Sequence, residues 1–260
     1  RGPIPQLSPL ADVKSSIARF GERRRVGLER WLARKSLVET GEIIPTGAFP
    51  WVARLEANWT AIRRELDTVM TDRAALPDIQ DLSPGLQYTI AQEKVWKVFA
   101  FRAYGVRCEE NCKRCPETAR LIDTIPGLEL AVFSVLEPGA HLGAHRGSYK
   151  GLIRAHLGLI VPEPRSMVRM RVGDTWVHWE EGSFVVFDDT YEHEVWNDSG
   201  SVRVVLLIDV PRPFPAPLSW ANKAILRLVR LTPFAADGIR RFRAWEKAYY
   251  ASHPQLPREP

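Results

Sequence analysis

An all-β core with flanking helices, closed as a barrel or sandwich, is the fold that this sequence of 260 residues predicts. Short β-branched and apolar segments at Leu130 to Leu136, Gly151 to Val161, Val168 to Val172, Ser183 to Phe187 and Val202 to Val210 are separated by Gly, Pro, Asp and Asn turns. On both sides of this region lie stretches whose apolar residues recur at helical spacing. Five of the six histidines fall between His141 and His193, inside the β region, and scattered core histidines would not cluster in this way. Polar side chains aimed into the mouth of a small barrel are the arrangement implied.

Composition bounds the function. An apolar fraction of 45% is enough to fill a core. The 36 Lys and Arg against 31 Asp and Glu give +5, a mild and diffuse excess that does not point to nucleic acid. No run of apolar residues is long enough for a transmembrane helix. The chain opens on Arg1 rather than Met, so a trimmed leader or anchor stays open. Three cysteines argue against a disulfide-stapled secreted scaffold and fit a reducing, cytoplasmic compartment, with membrane association left open by the basic chain ends.

Taken in order, residues 1 to 12 are Pro-rich and irregular, and Val13 to Ala33 reads as a basic helix interrupted at Gly21 and Gly27. After the turn at Pro45-Thr46-Gly47, Val52, Leu55, Trp59, Ile62, Leu66 and Val69 mark an amphipathic helix. Turn residues dominate from Leu76 to Gln92, and Val95 to Phe101 alternates like a strand. Cys108, Cys112 and Cys115 lie in a charged loop. Zinc there would lack a fourth ligand, so free thiols or one optional disulfide are expected. Pro116 to Ile125 is a short helix. Past the β region, Leu218 to Leu231 and Ile239 to Tyr250 are helices rich in Arg and apolar or aromatic residues. Such helices either cover a barrel or contact an anionic membrane surface. Three segments follow from this reading: a basic N-terminal segment at 1–44, a domain at 45–213 that contains the β region, and basic amphipathic helices at 214–260.

The chemistry lies in the order of residues along the β region. A non-haem iron centre needs imidazoles from two strands, with coordination positions left open. His145 and His193, near the ends of separate β segments, supply that pair. Arg203, ten residues past His193, offers a guanidinium to a carboxylate, and Ser134 a second hydrogen bond to the same group. Arg154 and His156, two apart, share one face of the intervening strand. Any one of these residues alone is commonplace; their joint order is not.

The motifs E-P-G-x-H, R-x-H-L-G-L, W-x-E-G and F-D-D-x-x-x-H-E-V-W, with the strand Arg, resemble those of the aspartyl/asparaginyl β-hydroxylase family across roughly residues 45 to 213. That resemblance implies a double-stranded β-helix, or jelly-roll and cupin-like, core and a dioxygenase dependent on Fe(II), 2-oxoglutarate and O2. It makes His145 and His193 the iron ligands and sets Arg203 and Ser134 on the distal carboxylate of 2-oxoglutarate. Arg154 and His156 fall near its proximal end, with Asp188 and Asp189 orienting the second ligand. Where wider dioxygenases carry a carboxylate in H-x-D/E, this sequence has Gly147. The glycine is similar to that of the peptide-hydroxylating branch, and also to the H-x-G/A of iron halogenases.

Hydroxylation of an unactivated C–H bond is therefore expected, first of all at the β-carbon of Asp or Asn in a peptide or protein. The alternative substrate is a fatty-acyl chain of a membrane lipid of the lipid A or ornithine-lipid type, reached by peripheral contact through the C-terminal helices. Halogenation and a non-catalytic cupin-like binding module are the remaining readings.

Overall fold

A computed structural model describes residues 26–82 and 95–253. The expected Pro-rich segment at 1–12, most of the helix expected at 13–33 and the last part of the turn-rich stretch to Gln92 lie outside the described residues. Of the N-terminal helix, residues 26–35 are described, and they are helical (α1).

Among the described residues, eleven strands form two antiparallel sheets. The larger has the order β1 (Ile43–Ile44), β9 (Phe184–Phe187), β6 (Leu152–Ile160), β11 (Arg203–Pro211), β4 (Leu130–Leu136), β2 (Trp96–Ala103) and β3 (Val106–Arg107). The smaller has the order β5 (Ala140–His145), β10 (His193–Asn197), β7 (Val168–Val172) and β8 (Thr175–Val177). From β4 onward the chain passes back and forth between the sheets, with β7 and β8 as a hairpin within the smaller one, which is the jelly-roll winding of a double-stranded β-helix. The sheet starts at Ile43, two residues before the boundary expected at 45.

Helices cover the outer face of the larger sheet. α2 (Pro50–Ala57) and α3 (Trp59–Met70) turn Trp51, Val52, Leu55, Ile62, Leu66 and Val69 onto it, with α6 (Pro116–Ile122) beside them. Sequence periodicity runs unbroken through this pair, but the helix breaks at Asn58, whose side-chain amide donates to the Arg54 carbonyl. The Glu65 carboxylate of α3 caps α6, accepting from the backbone N–H groups of Glu117 and Thr118 and from the Thr118 hydroxyl. Because the larger sheet is covered on both faces, β11 is buried at eight successive positions and reads as a continuous apolar run rather than an alternating one.

Between the sheets lies the second half of the core, with Val132, Leu136, Val205 and Leu207 facing Leu142, Met170, Val172 and Val195. The cysteine segment is partly helical rather than a loop: Cys112 lies in α5 (Glu109–Arg114), which Cys108 and Cys115 flank, and all three thiols are buried and free. Burial pushes each thiol pKa up, so they are inert packing groups.

The C-terminal helices differ from one another. α8 (Pro233–Ser252) begins six residues before the expected start, because Thr232 caps it and Pro233 occupies its first turn. It buries Phe242, Tyr249 and Tyr250, and its Glu246 carboxylate accepts from the Asn111 N–H. α7 (Leu218–Val229) buries only Asn222 and Leu226 and turns its apolar row outward. A barrel-covering role therefore holds for α8 and fails for α7.

Candidate active site

His145 closes β5 and His193 opens β10, and the two are direct cross-strand partners. Their ring centroids lie 4.1 Å apart. Each ring is aimed by a backbone carbonyl: His145 Nδ1 meets the Gly143 oxygen at 2.7 Å, and His193 Nδ1 meets the Tyr191 oxygen at 3.0 Å. A carbonyl can only accept, so Nδ1 carries the proton and Nε2 of both rings keeps its lone pair for a metal. Burial lowers both pKa values, that of His193 to about 3, so both rings are neutral at physiological pH, the form in which an imidazole can bind a metal. Among the described residues no group of three or more His, Cys, Asp and Glu side chains is arranged to hold a metal ion.

The inner face of the larger sheet continues the site, because alternate residues share a face. Arg203 and Val205 on β11 lie opposite Leu136 and Ser134 on β4, while Leu207 and Asp209 lie opposite His156 and Arg154 on β6. Arg203 is 2% exposed and stacks on the Trp179 ring at 4.6 Å. The His156 ring lies 6.0 Å from Trp179 and 5.0 Å from Phe187, and Phe187 meets the edge of His193 at 5.7 Å. Aromatic contacts thus lead from Arg203 to the histidine pair. Along this wall Arg203 Nε and Nη1, both nitrogens of His156 and Trp179 Nε1 are buried without a hydrogen-bond partner. Each such atom costs about 1–3 kcal/mol unless a ligand satisfies it. Burial also draws the Arg203 pKa down to about 9. A site with this donor set suits an anion with several acceptor oxygens. The Ser134 hydroxyl accepts from Trp96 Nε1 at 2.9 Å, leaving its own hydrogen free to donate.

Arg154 differs from Arg203. Its Nε and Nη2 grip the Asp209 carboxylate at 2.8 Å each, and Nη2 reaches Asp189 at 3.4 Å. Burial works against its charge, but these two carboxylates outweigh burial and raise its pKa. The remaining histidines stand apart: His141 is an exposed partner of Glu194 stacked on Trp196, and the exposed His178 meets the Arg165 carbonyl.

Residues 56–213 match the aspartyl/asparaginyl β-hydroxylase family. The chain belongs to that family. It is 44% identical over 209 residues to an ornithine lipid ester-linked acyl 2-hydroxylase from Rhizobium tropici, covering 80% of this chain and 74% of that protein. It is 33% identical over 180 residues to the human aspartyl/asparaginyl β-hydroxylase, covering 66% of this chain but only 22% of that protein. Among solved structures, a cupin domain of an XRE family transcriptional regulator from Enterobacter cloacae aligns with a TM-score of 0.32 at 15% identity, covering 46% of this chain and 99% of that one.

In this hydroxylase the two aspartates before His193 have separate tasks, and neither carboxylate bonds the His193 ring. Asp188 is fully buried and receives Lys150 Nζ at 2.6 Å, the Arg212 guanidinium and the Thr190 hydroxyl. It locks the loop that carries His193. Asp189 faces Gly147, where a Cβ would overlap its carboxylate. Burial pushes the Asp189 pKa up to about 6, against the pull of Arg154. The carboxylate missing from position 147 thus has a neighbour from the opposite loop in its space. Gly147→Ala should displace Asp189 and lower turnover by about 10-fold or more. Unchanged turnover would show that the displaced carboxylate has no part in the reaction.

Trp179, Asp209 and Trp96 were not singled out from the sequence, although Trp179 lies within W-x-E-G. Each acts through a partner on another strand, which one-dimensional spacing does not reveal.

Proposed function

We propose that this hydroxylase uses Fe(II) held by His145 and His193, with 2-oxoglutarate and O2, to hydroxylate an unactivated C–H bond in the acyl chain of a membrane lipid. Iron with these co-substrates supplies the oxidising chemistry, 2-oxoglutarate leaving as succinate and CO2 while one oxygen atom enters the C–H bond. The protein's residues supply position and dryness. Buried Arg203, with two unpartnered nitrogens, is the observation that carries the co-substrate assignment. It binds the distal carboxylate, helped by the Ser134 hydroxyl. His156, with both nitrogens unpartnered, faces the same ligand nearer the histidine pair. Arg154, held by Asp209, brings positive charge to the proximal end and keeps Asp189 in place.

Support for the acyl chain comes from the extent of similarity to the lipid hydroxylase, 74% of that protein at 44% identity, against 22% at 33% for the human peptide-hydroxylase relative. The sequence alone orders these substrates the other way, on Gly147 and the H-E-V-W motif. Chloride would need the space beside Gly147 that Asp189 fills, which speaks against halogenation. The test supplies Fe(II), 2-oxoglutarate and an ornithine lipid in detergent micelles, alongside Asp- and Asn-containing peptides. Succinate release with a lipid product one oxygen heavier is expected. Peptide hydroxylation without lipid modification would replace the acyl chain with the peptide as substrate.

A further inference from the structure

The outer face of α7 is unusual for a helix packed on a core. Trp220 and Leu228 are 68% and 63% exposed, with Ile225 and Val229 in the neighbouring row. At four-residue spacing, Trp220, Ala224 and Leu228 form one outward stripe and Ala221, Ile225 and Val229 another. Leu231, 78% exposed, extends the apolar surface beyond the helix end. Lys223 and Arg227, also four apart and exposed, form the adjoining row, and neither has an ion-pair partner among the described residues. The helix contains no Asp or Glu. Contiguous apolar surface of this kind marks a binding face.

The buried side of α7 is tied to the loop that follows His145. Asn222, on the buried side of α7, accepts from the Tyr149 hydroxyl at 2.7 Å and donates to the Gly151 carbonyl at 2.9 Å. Those residues belong to the loop joining His145 on β5 to β6. At the far end, Arg230 grips both oxygens of Glu129 and lies against Gly105, where a Cβ would overlap the guanidinium. Gly105 has φ +70°, so position 105 needs glycine for its backbone as well as for this contact.

We propose that the outer face of α7 docks on the surface of a bilayer containing anionic lipids, setting the loop after His145 against the layer from which the substrate is drawn. The proposal rests on the acyl-chain reading above. A bilayer fits better than a second copy of the chain or another protein because the apolar rows are bordered by unpaired cations and carry no acid. α1 also exposes apolar residues beside cations, Leu28 and Trp31 among Arg30, Arg34 and Lys35, although it includes Glu29. Its end is tied to the approach to α7 by a hydrogen bond from the Leu37 N–H to the Pro213 carbonyl. No helix of the described residues is long and apolar enough to cross a membrane, so α7 lies on the surface.

The test measures co-sedimentation of the full chain with vesicles of phosphatidylcholine alone and of equal parts phosphatidylcholine and phosphatidylglycerol. Binding to the anionic vesicles is expected, weakened by salt. The double substitution Lys223→Gln with Arg227→Gln should reduce that binding about 30-fold, two charges at about 1 kcal/mol each. Trp220→Ser with Leu228→Ser should reduce it at least about 10-fold. All four side chains are exposed, so the fold and the turnover of lipid in detergent micelles should persist in both variants. Equal sedimentation with both vesicle types, or binding unmoved by either variant, overturns the docking face. So does concentration-dependent self-association that Leu228→Ser abolishes, with no vesicle binding. Absent lipid turnover in micelles, with vesicle binding retained, refutes the acyl-chain reading and leaves the docking measurement standing.

Discussion

Replacing His193 with alanine should take 2-oxoglutarate turnover below ~1% of the parent. Groups that merely orient a metal ligand are worth about 10–100-fold, and loss of the ligand itself must exceed that. The fold should survive, because the buried imidazole stands at the first residue of β10, bonded to the Tyr191 carbonyl and against the Phe187 ring, and its loss leaves the apolar clusters on both faces of the larger sheet in place. His145→Ala should behave alike. His141→Ala and His178→Ala are the controls: both rings are exposed, and a surface pair such as His141 with Glu194 contributes about 0–1 kcal/mol. Loss of a Co(II) absorption band on titration, with the melting transition and circular dichroism spectrum retained, distinguishes a missing ligand from a misfolded chain. Full turnover in His193→Ala would remove this residue from the metal.

Arg203→Ala should raise the apparent dissociation constant for 2-oxoglutarate by about 30-fold or more, since removing one partner of a buried charge pair costs about 2–5 kcal/mol. Arg203→Lys should recover only part of this, because an ammonium cannot reproduce the planar guanidinium. A second readout separates ligand binding from structural support. Arg203 in the ligand-free protein has two buried nitrogens without partners, so Arg203→Met should leave the melting temperature unchanged or raise it. A residue that held the fold together would lower it. An unchanged 2-oxoglutarate constant in Arg203→Ala would move the carboxylate site elsewhere.

Much of this site is legible in the sequence. Ser134, His145, His156, His193 and Arg203 are ordered along the strands so that the period of two puts them on inward faces, and the larger sheet brings Ser134, His156 and Arg203 to one side of the interior. The separate duties of Arg154 and Arg203 are not legible, because Asp209 on β11 and Trp179 in the segment after β8, which set them apart, meet them only across the sheet or the interior. The exchange of Gly147 for Asp189 is likewise a contact between two loops. For α7 the apolar stripe is visible but its direction is not: Ile225 and Leu228 have the same spacing whether they face a core or a bilayer. Only the small buried patch of Asn222 and Leu226 reveals it.

The buried ions around the histidine pair have a consequence for how the ligands of the site assemble. Lys150, Arg154 and Arg212 are matched by Asp188, Asp189 and Asp209, and Arg203 is left over as an uncompensated positive charge. The two neutral imidazoles therefore offer themselves to a dication in surroundings that already carry like charge. A dicarboxylate reverses that sign. Its affinity and that of the metal must rise together, by the same factor in either order, because coupling between two sites is reciprocal. On the proposed chemistry, this electrical imbalance would make metal and 2-oxoglutarate each the condition for tight binding of the other.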